Sequence, residues 1–234
     1  MRLESYAEMA QSIRAQHSGV HWRLWAFAVV LALTLTIFAA NGVYLPGDVR
    51  LATAVQVAHR VDLLGPLSDA LYQLGAMPVY PAFALIAAGI LATAYRRPVA
   101  SAFILVAMLT RPFGTLIKEL VERPRPTDSL VPYVEGASGF SFPSGHVFGT
   151  VLLVGFVCYV LIEGERHTRR RLAIAFCGIV VSVLMGAQRV YAGAHWPSDV
   201  LAGYLWGGVV LFVLIQSYRT FGHVFTPGPP AHDA

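Results

Sequence analysis

Apolar residues run along the chain in six long blocks, covering 24–40, 78–95, 99–120, 147–162, 172–189 and 200–217. Each is close to the roughly 20 apolar residues that one helix needs to cross the hydrocarbon core of a bilayer. Between and before them lie two segments of a different kind. Leu3, Tyr6, Met9 and Ile13 recur at helical spacing ahead of the first block, which suits a helix lying in the membrane interface. The segment 48–74 carries Leu51, Val55, Leu63, Leu64, Leu67 and Leu71, interrupted by Gly65-Pro66, and reads as short amphipathic helices too polar to span. The architecture predicted is therefore all-α: one bundle of six transmembrane helices with short interfacial helices. Residues 1–23 are expected to form an amphipathic interfacial segment and 24–218 the membrane domain. Residues 219–234, Pro-rich after Thr226, are expected to form a disordered tail.

Composition strengthens this reading. Of 234 residues, 56% are hydrophobic and only 13% charged, with mean hydropathy +0.60. Soluble domains carry about 25% charged residues, so most of this surface is built to face something other than water. The net charge of +4 does not indicate a nucleic-acid partner, because the 17 basic residues are scattered among apolar segments without an aromatic-interleaved patch. Cys158 and Cys177 both fall inside apolar runs and supply neither a disulfide framework nor metal-ligand spacing. No cleavable leader is expected, since the first apolar block begins near Trp25, is as long as a full span, and lacks a following small-residue cleavage site.

Orientation follows from basic residues near the helix ends. Arg2, Arg14, Arg23, Arg96, Arg97, Arg166, Arg219 and the cluster Arg169-Arg170-Arg171 fall on one side, expected to be cytoplasmic together with both termini. Arg50, Arg60, Lys118, Arg123, Arg125 and Arg189 fall on the other, expected to be the periplasmic or extracellular face of a bacterial plasma membrane.

Three short stretches hold most of the unusual polar residues. They are 118–126 (K-E-L-V-E-R-P-R-P) after the third block, 141–146 (S-F-P-S-G-H) before the fourth, and 188–199 (Q-R-V-Y-A-G-A-H-W-P-S-D) between the fifth and sixth. By the parity of the spans all three reach the same membrane face. Lys118, Arg125 and Arg189 supply cationic donors suited to an oxyanion with several oxygens. Pro143-Ser144-Gly145-His146 opens a helix, where free backbone N–H groups and the dipole favour an anion. Asp199 lies four residues after His195 and is placed to hold its imidazole tautomer; His146 remains as a proton donor. Such an inventory suits phosphoryl transfer, which relies on positioning and charge neutralisation. Glu119, Glu122, Asp128, Glu135 and Asp199 form no metal-like grouping, so neither metal nor cofactor is expected.

These stretches resemble the three signatures of the type 2 phosphatidic acid phosphatase superfamily: K-x6-R-P (Lys118, Arg125, Pro126), P-S-G-H (Pro143 to His146) and R-x5-H-x3-D (Arg189, His195, Asp199). That superfamily also contains vanadium haloperoxidases and bacterial acid phosphatases. The resemblance implies that His195 attacks phosphorus to form a phosphohistidine, with Asp199 orienting it. It implies that His146 protonates the leaving oxygen, and that Lys118, Arg125, Ser144, Gly145 and Arg189 hold the phosphoryl oxygens. One departure stands out: the third signature usually opens Ser-Arg, and here Gln188 precedes Arg189, which puts the serine's auxiliary contact in doubt.

Six-span members of this kind act on membrane lipids, so the resemblance implies hydrolysis of a lipid phosphate or diphosphate. Undecaprenyl diphosphate is the leading candidate, with phosphatidylglycerol phosphate, phosphatidate and lipid A behind it. A vanadate-dependent haloperoxidase and a non-catalytic lipid-binding protein are the rival readings, since one fold hosts several functions.

Singly, each of these residues has a plainer explanation. A lysine or arginine at a span end is commonly a snorkelling anchor, and Pro124 and Pro126 are ordinary helix terminators. Ordered spacing and complementary roles favour the catalytic reading when they are taken together. Arg111 is expected in mid-span, about 10 Å deeper than Lys118 on nearly the same helix face, with a partner buried beneath the site; the alternative is a span edge that falls elsewhere.

Overall fold

The computed structural model describes residues 2–57, 64–76, 79–134 and 136–225, with side chains described over 21–57, 65–76, 79–134 and 136–221. Among them the regular structure is helical, and no strand occurs. The helices are α1 (Arg2–Ala40), α2 (Asp48–Gln56), α3 (Leu64–Gly75), α4 (Val79–Thr93), α5 (Pro98–Leu109), α6 (Arg111–Val121), α7 (Gly145–Gly164), α8 (Thr168–Tyr191) and α9 (Pro197–Phe225).

Among the described residues, five stretches are long and apolar enough to cross a membrane: His21–Ala40, Pro98–Val121, Gly145–Gly164, Thr168–Tyr191 and Pro197–Phe221. The second predicted span, 78–95, is built differently. α4 has only 15 residues and meets the length of a span only together with α3, to which it is set at 67°. The predicted third span is also interrupted, at Thr110. Pro112 has no N–H to give to the preceding turn, and the Thr110 hydroxyl instead caps the carbonyl of Ala107 at 2.7 Å. Gly65-Pro66 sits in the first turn of α3 rather than breaking it, where a proline costs no hydrogen bond.

At the amino terminus, the segment expected to lie in the interface continues without a break into the first span as α1. At the other end, α9 runs on through Arg219 to Phe225, so this part of the expected tail is helix. No proline interrupts it before Pro227. Residues 226–234 lie outside the described residues.

Apolar side chains face outward from the bundle along α1, α4, α5, α8 and α9, among them Phe27, Ile37, Ile86, Leu109, Phe176 and Leu201, whereas α7 exposes no large apolar side chain. A soluble protein would bury such residues; here they form the lipid-facing surface. Inside, small residues let backbones approach. A Cβ on Gly207 would lie 2.9 Å from the Val151 Cβ, and one on Gly203 would lie 3.0 Å from the Ser144 carbonyl oxygen. Close packing of small residues holds helices together where lipid removes the hydrophobic drive, and here it presses α7 against α9.

α1 and α9 run antiparallel. Trp25 donates to the Val209 carbonyl (3.1 Å) and Trp206 to the Thr36 hydroxyl (3.1 Å). The carboxyl ends of α1, α6 and α8 therefore meet the amino ends of α7 and α9 at one end of the bundle. Arg97 and Glu163 pair at the opposite end (2.9 Å), the end where α8 begins with Arg169, Arg170 and Arg171.

Candidate active site

Local turns deliver each motif to the common end. α6 stops at Glu122, whose left-handed backbone (φ 49°) turns the chain so that Arg123 enters the bundle. Lys118, in the last turn of α6, donates to the carbonyls of Phe140 (2.9 Å) and Ser141 (3.2 Å). This ties the first motif to the second and leaves one of its three N–H donors for a ligand. Arg125 is anchored by backbone carbonyls as well: Gly139 (3.0 Å), Ser138 (3.0 Å) and Ala194 (2.6 Å). The bend between α8 and α9 depends on Gly193, which has φ 65°. A Cβ there would lie 2.0 Å from the Tyr133 carbonyl oxygen, so both conformation and space demand glycine.

Asp199 does three things at once. Its Oδ2 accepts from the Trp196 N–H (2.8 Å) while its own N–H bonds to the Trp196 carbonyl (3.0 Å), the reciprocal arrangement that caps a helix start. Its Oδ1 accepts from Arg123 at 2.6 Å. Its Oδ2 also faces His195 Nδ1 at 3.6 Å, longer than a hydrogen bond. With Nδ1 toward the carboxylate, Nε2 is turned toward Arg125, 3.4 Å from Nη1.

Lys118, Arg125, Gly145, His146 and His195 line one cavity of about 700 Å³. Ser144 and Asp199 are fully buried, and Ser144 is tied to the third motif by its N–H to the Asp199 carbonyl (3.0 Å). Among the described residues, the buried side-chain polar atoms without a hydrogen-bond partner are Ser144 Oγ, His146 Nε2 and His195 Nδ1. Unsatisfied buried groups are costly, and these three all belong to residues that the motifs single out. No group of three His, Cys, Asp or Glu side chains among the described residues is placed to hold a metal ion.

Arg189 is buried but lies outside the lining of that cavity. Its guanidinium centre sits 4.8 Å from the centroid of the Tyr72 ring, and Tyr72 stacks on His146 (centroids 5.4 Å apart). Gln188, the departure from the family pattern, uses both ends of its amide: Oε1 accepts from Arg189 Nε (2.5 Å) and Nε2 donates to Ser68 (3.0 Å). Burial holds the His195 imidazole well below the ordinary histidine value. Lys118, Arg125 and Arg189 push it the same way, against the Ser141 carbonyl. A neutral ring is the nucleophilic form.

Sequence reasoning missed several supporting residues. In the sequence Arg123 stood out only as one of the basic residues on the outer side; its side chain is fully buried. Besides Asp199 it binds Asp48 (2.8 Å), the Ser198 hydroxyl (2.8 Å) and the Val43 carbonyl (3.2 Å). Asp48 in turn accepts from the N–H and the hydroxyl of Ser198 (2.9 and 2.6 Å). Tyr72 and Tyr80 carry no motif signal. Arg111, half-buried at the start of α6, has its guanidinium centre 4.2 Å from the centroid of the Tyr80 ring.

Residues 99–222 match the PAP2 superfamily. Phosphatidylglycerophosphatase B of Bacillus subtilis is 30% identical over 201 residues, covering 83% of this chain and 92% of that one. The chain belongs to the PAP2 superfamily. An undecaprenyl-diphosphatase of Sulfolobus acidocaldarius is 32% identical over 110 residues, 47% of this chain and 44% of its own length. The lipid A 1-phosphatase of Rhizobium etli is 33% identical over 50% of this chain and 49% of its own.

Two solved structures share the fold. The transmembrane PAP2-type phosphatidylglycerolphosphate phosphatase of Bacillus subtilis superposes with a TM-score of 0.68 at 22% identity, over 86% of this chain and 98% of that one. LpxE of Aquifex aeolicus gives 0.58 at 24% identity, over 72% and 94%. The PAP2 match contains all three motifs, and the longer relative and the fold extend the likeness to most of the chain.

Proposed function

We propose that this PAP2 protein is a lipid phosphatase that transfers the phosphoryl group of a lipid phosphate or diphosphate to His195 and then to water, without a metal. The observation that carries the reading is the shared cavity. It brings Lys118, Arg125, Gly145, His146 and His195 together, and Ser144 Oγ and His146 Nε2 are both buried and unpartnered. Curated relatives hydrolyse lipid phosphates, as their names state.

In this scheme the Nε2 lone pair of neutral His195 forms the N–P bond while the bond from phosphorus to the lipid oxygen breaks. The leaving oxygen takes its proton from His146. Lys118, Arg125, Gly145 and Ser144 neutralise or bond the equatorial oxygens. Arg189 acts from behind, its positive charge near both histidines and its position held by Tyr72 and Gln188. Asp199 keeps the Nδ1 proton on the far side of the His195 ring, which leaves Nε2 free to attack. Water then cleaves the N–P bond, with His146 as the base that takes its proton, and orthophosphate departs. A site at the end of the bundle opposite the Arg169–Arg171 cluster is the external one by the charge rule. On this reading the site faces the outside of a plasma membrane and both termini lie inside.

The test is a panel of undecaprenyl diphosphate, phosphatidylglycerol phosphate, phosphatidate and lipid A, assayed with purified protein in detergent. Phosphate release that persists in EDTA and vanishes in His195→Ala is expected. Loss of activity on chelation would overturn the metal-free scheme. Lipid binding without release by the wild type would favour a non-catalytic role, and halide oxidation dependent on added vanadate would favour the haloperoxidase.

A further inference from the structure

The cavity that holds the phosphoryl site does not end there. Arg111 lines the same space as Lys118 and His195, beside the apolar surfaces of Met108 and Phe148. α6 is unbroken from Arg111 to Val121, so Arg111 stands two turns before Lys118 on one helix face, about 10 Å toward the middle of the bundle. A charge at that depth is costly to keep, and its attraction for an anion is correspondingly stronger than in water. The fold also fixes its direction. Arg111 stacks on Tyr80, and the Tyr80 hydroxyl is itself bonded to the Gly149 carbonyl (3.2 Å). Stacking on a ring leaves a guanidinium's donors in its plane, at the periphery.

A lipid whose terminal phosphate sat at His195 and whose chains left through this cavity toward the membrane interior would pass Arg111. We propose that Arg111 contacts a second phosphate group on the chain side of the scissile one, and so selects lipids bearing two phosphates over those bearing one. The inference rests on the lipid phosphatase reading and names its substrate class. Two sources share this chemistry: a lipid diphosphate, and a phosphatidylglycerol phosphate whose phosphodiester lies one glycerol away. For the diphosphate, the bond from the terminal phosphorus to the bridging oxygen breaks. The electron pair stays on that oxygen, and the product is a lipid monophosphate whose negative charge Arg111 holds. Arg111 is then a specificity residue; the attacking and proton-donating groups remain the two histidines.

The experiment compares kcat/KM for farnesyl diphosphate, phosphatidylglycerol phosphate and phosphatidate in full-length wild type, Arg111→Gln and Arg111→Lys. In Arg111→Gln the ratio of two-phosphate to one-phosphate substrate is expected to fall at least about tenfold, as for a lost charge-assisted contact, with partial recovery in Arg111→Lys. A fall for farnesyl diphosphate alone assigns the diphosphate; a fall for phosphatidylglycerol phosphate alone assigns the phosphodiester. An unchanged ratio overturns the proposal, even if all rates fall together. Inhibition gives a check on the wild type that needs no variant. Inorganic pyrophosphate should compete more tightly than orthophosphate where the diphosphate is the source, and equal inhibition overturns that source. A wild type that releases phosphate from none of the lipids would instead sink the phosphatase reading beneath it.

Discussion

Arg123 is the residue whose removal should reveal most about how this site is held. Its side chain is fully buried between two carboxylates, Asp48 at 4% exposure and Asp199 at 0%, with contacts of 2.8 and 2.6 Å. Arg123→Met fills much of the same volume but removes the cation, leaving two buried negative charges facing one another. Removing one partner of a buried pair costs about 3–5 kcal/mol, a large share of the roughly 5–15 kcal/mol that separates folded from unfolded proteins.

At about 2–4 °C per kcal/mol for a chain of this size, thermal unfolding in detergent, followed by tryptophan fluorescence, should shift down by about 6–20 °C. Asp48→Asn alone should cost less, because it leaves Arg123 paired with Asp199. The double variant should be more stable than the sum of the two single losses, since the second change removes one of the stranded charges. Activity adds a second readout: with Asp199 no longer held from the far side, His195 loses its orienting partner, and kcat should fall further than the folded fraction does. An Arg123→Met protein that melts within about 2 °C of wild type and keeps its turnover would refute this account of the network.

Two other expectations follow from the site. Because burial and neighbouring cations lower the His195 pKa, its ring stays neutral at a pH where an ordinary histidine, near 6.5, is half charged; nucleophilic capacity is lost only as pH falls through the lowered value. Titration of labelled histidine by NMR in detergent checks this, and half-protonation of His195 at or above about pH 6.5 contradicts it. Orientation is open to cysteine labelling. Ser138 is exposed on the loop between α6 and α7, so Ser138→Cys, with Cys158 and Cys177 replaced by serine, should react with an impermeant maleimide in intact cells. Reaction only after permeabilisation would invert the topology.

Much of the molecule is legible from residues alone because its physics is local. Transfer into a bilayer depends on a run of side chains, so the apolar blocks reveal the spans. The motifs are legible for a related reason: phosphoryl chemistry needs certain groups at certain spacings, and Lys118 to Arg125 or His195 to Asp199 satisfy those spacings within one turn or loop. The composite character of the second span was less visible, because α3 and α4 pass the length test only as a pair bent at 67°, and hydropathy carries no angle.

The chain's own order of residues thus determined a membrane bundle, a phosphate-handling inventory and the family that uses it. Tertiary structure alone decided what holds that inventory in place. Asp48 and Asp199 meet on one guanidinium although Arg123 is 75 or 76 residues from each, and Arg111 and Arg189 find tyrosine rings on α4 and α3. Such pairings come from how α7 packs on α9 through glycine, and from the turns at Glu122 and Gly193. No spacing rule links residues so far apart; they meet only because the helices that carry them do.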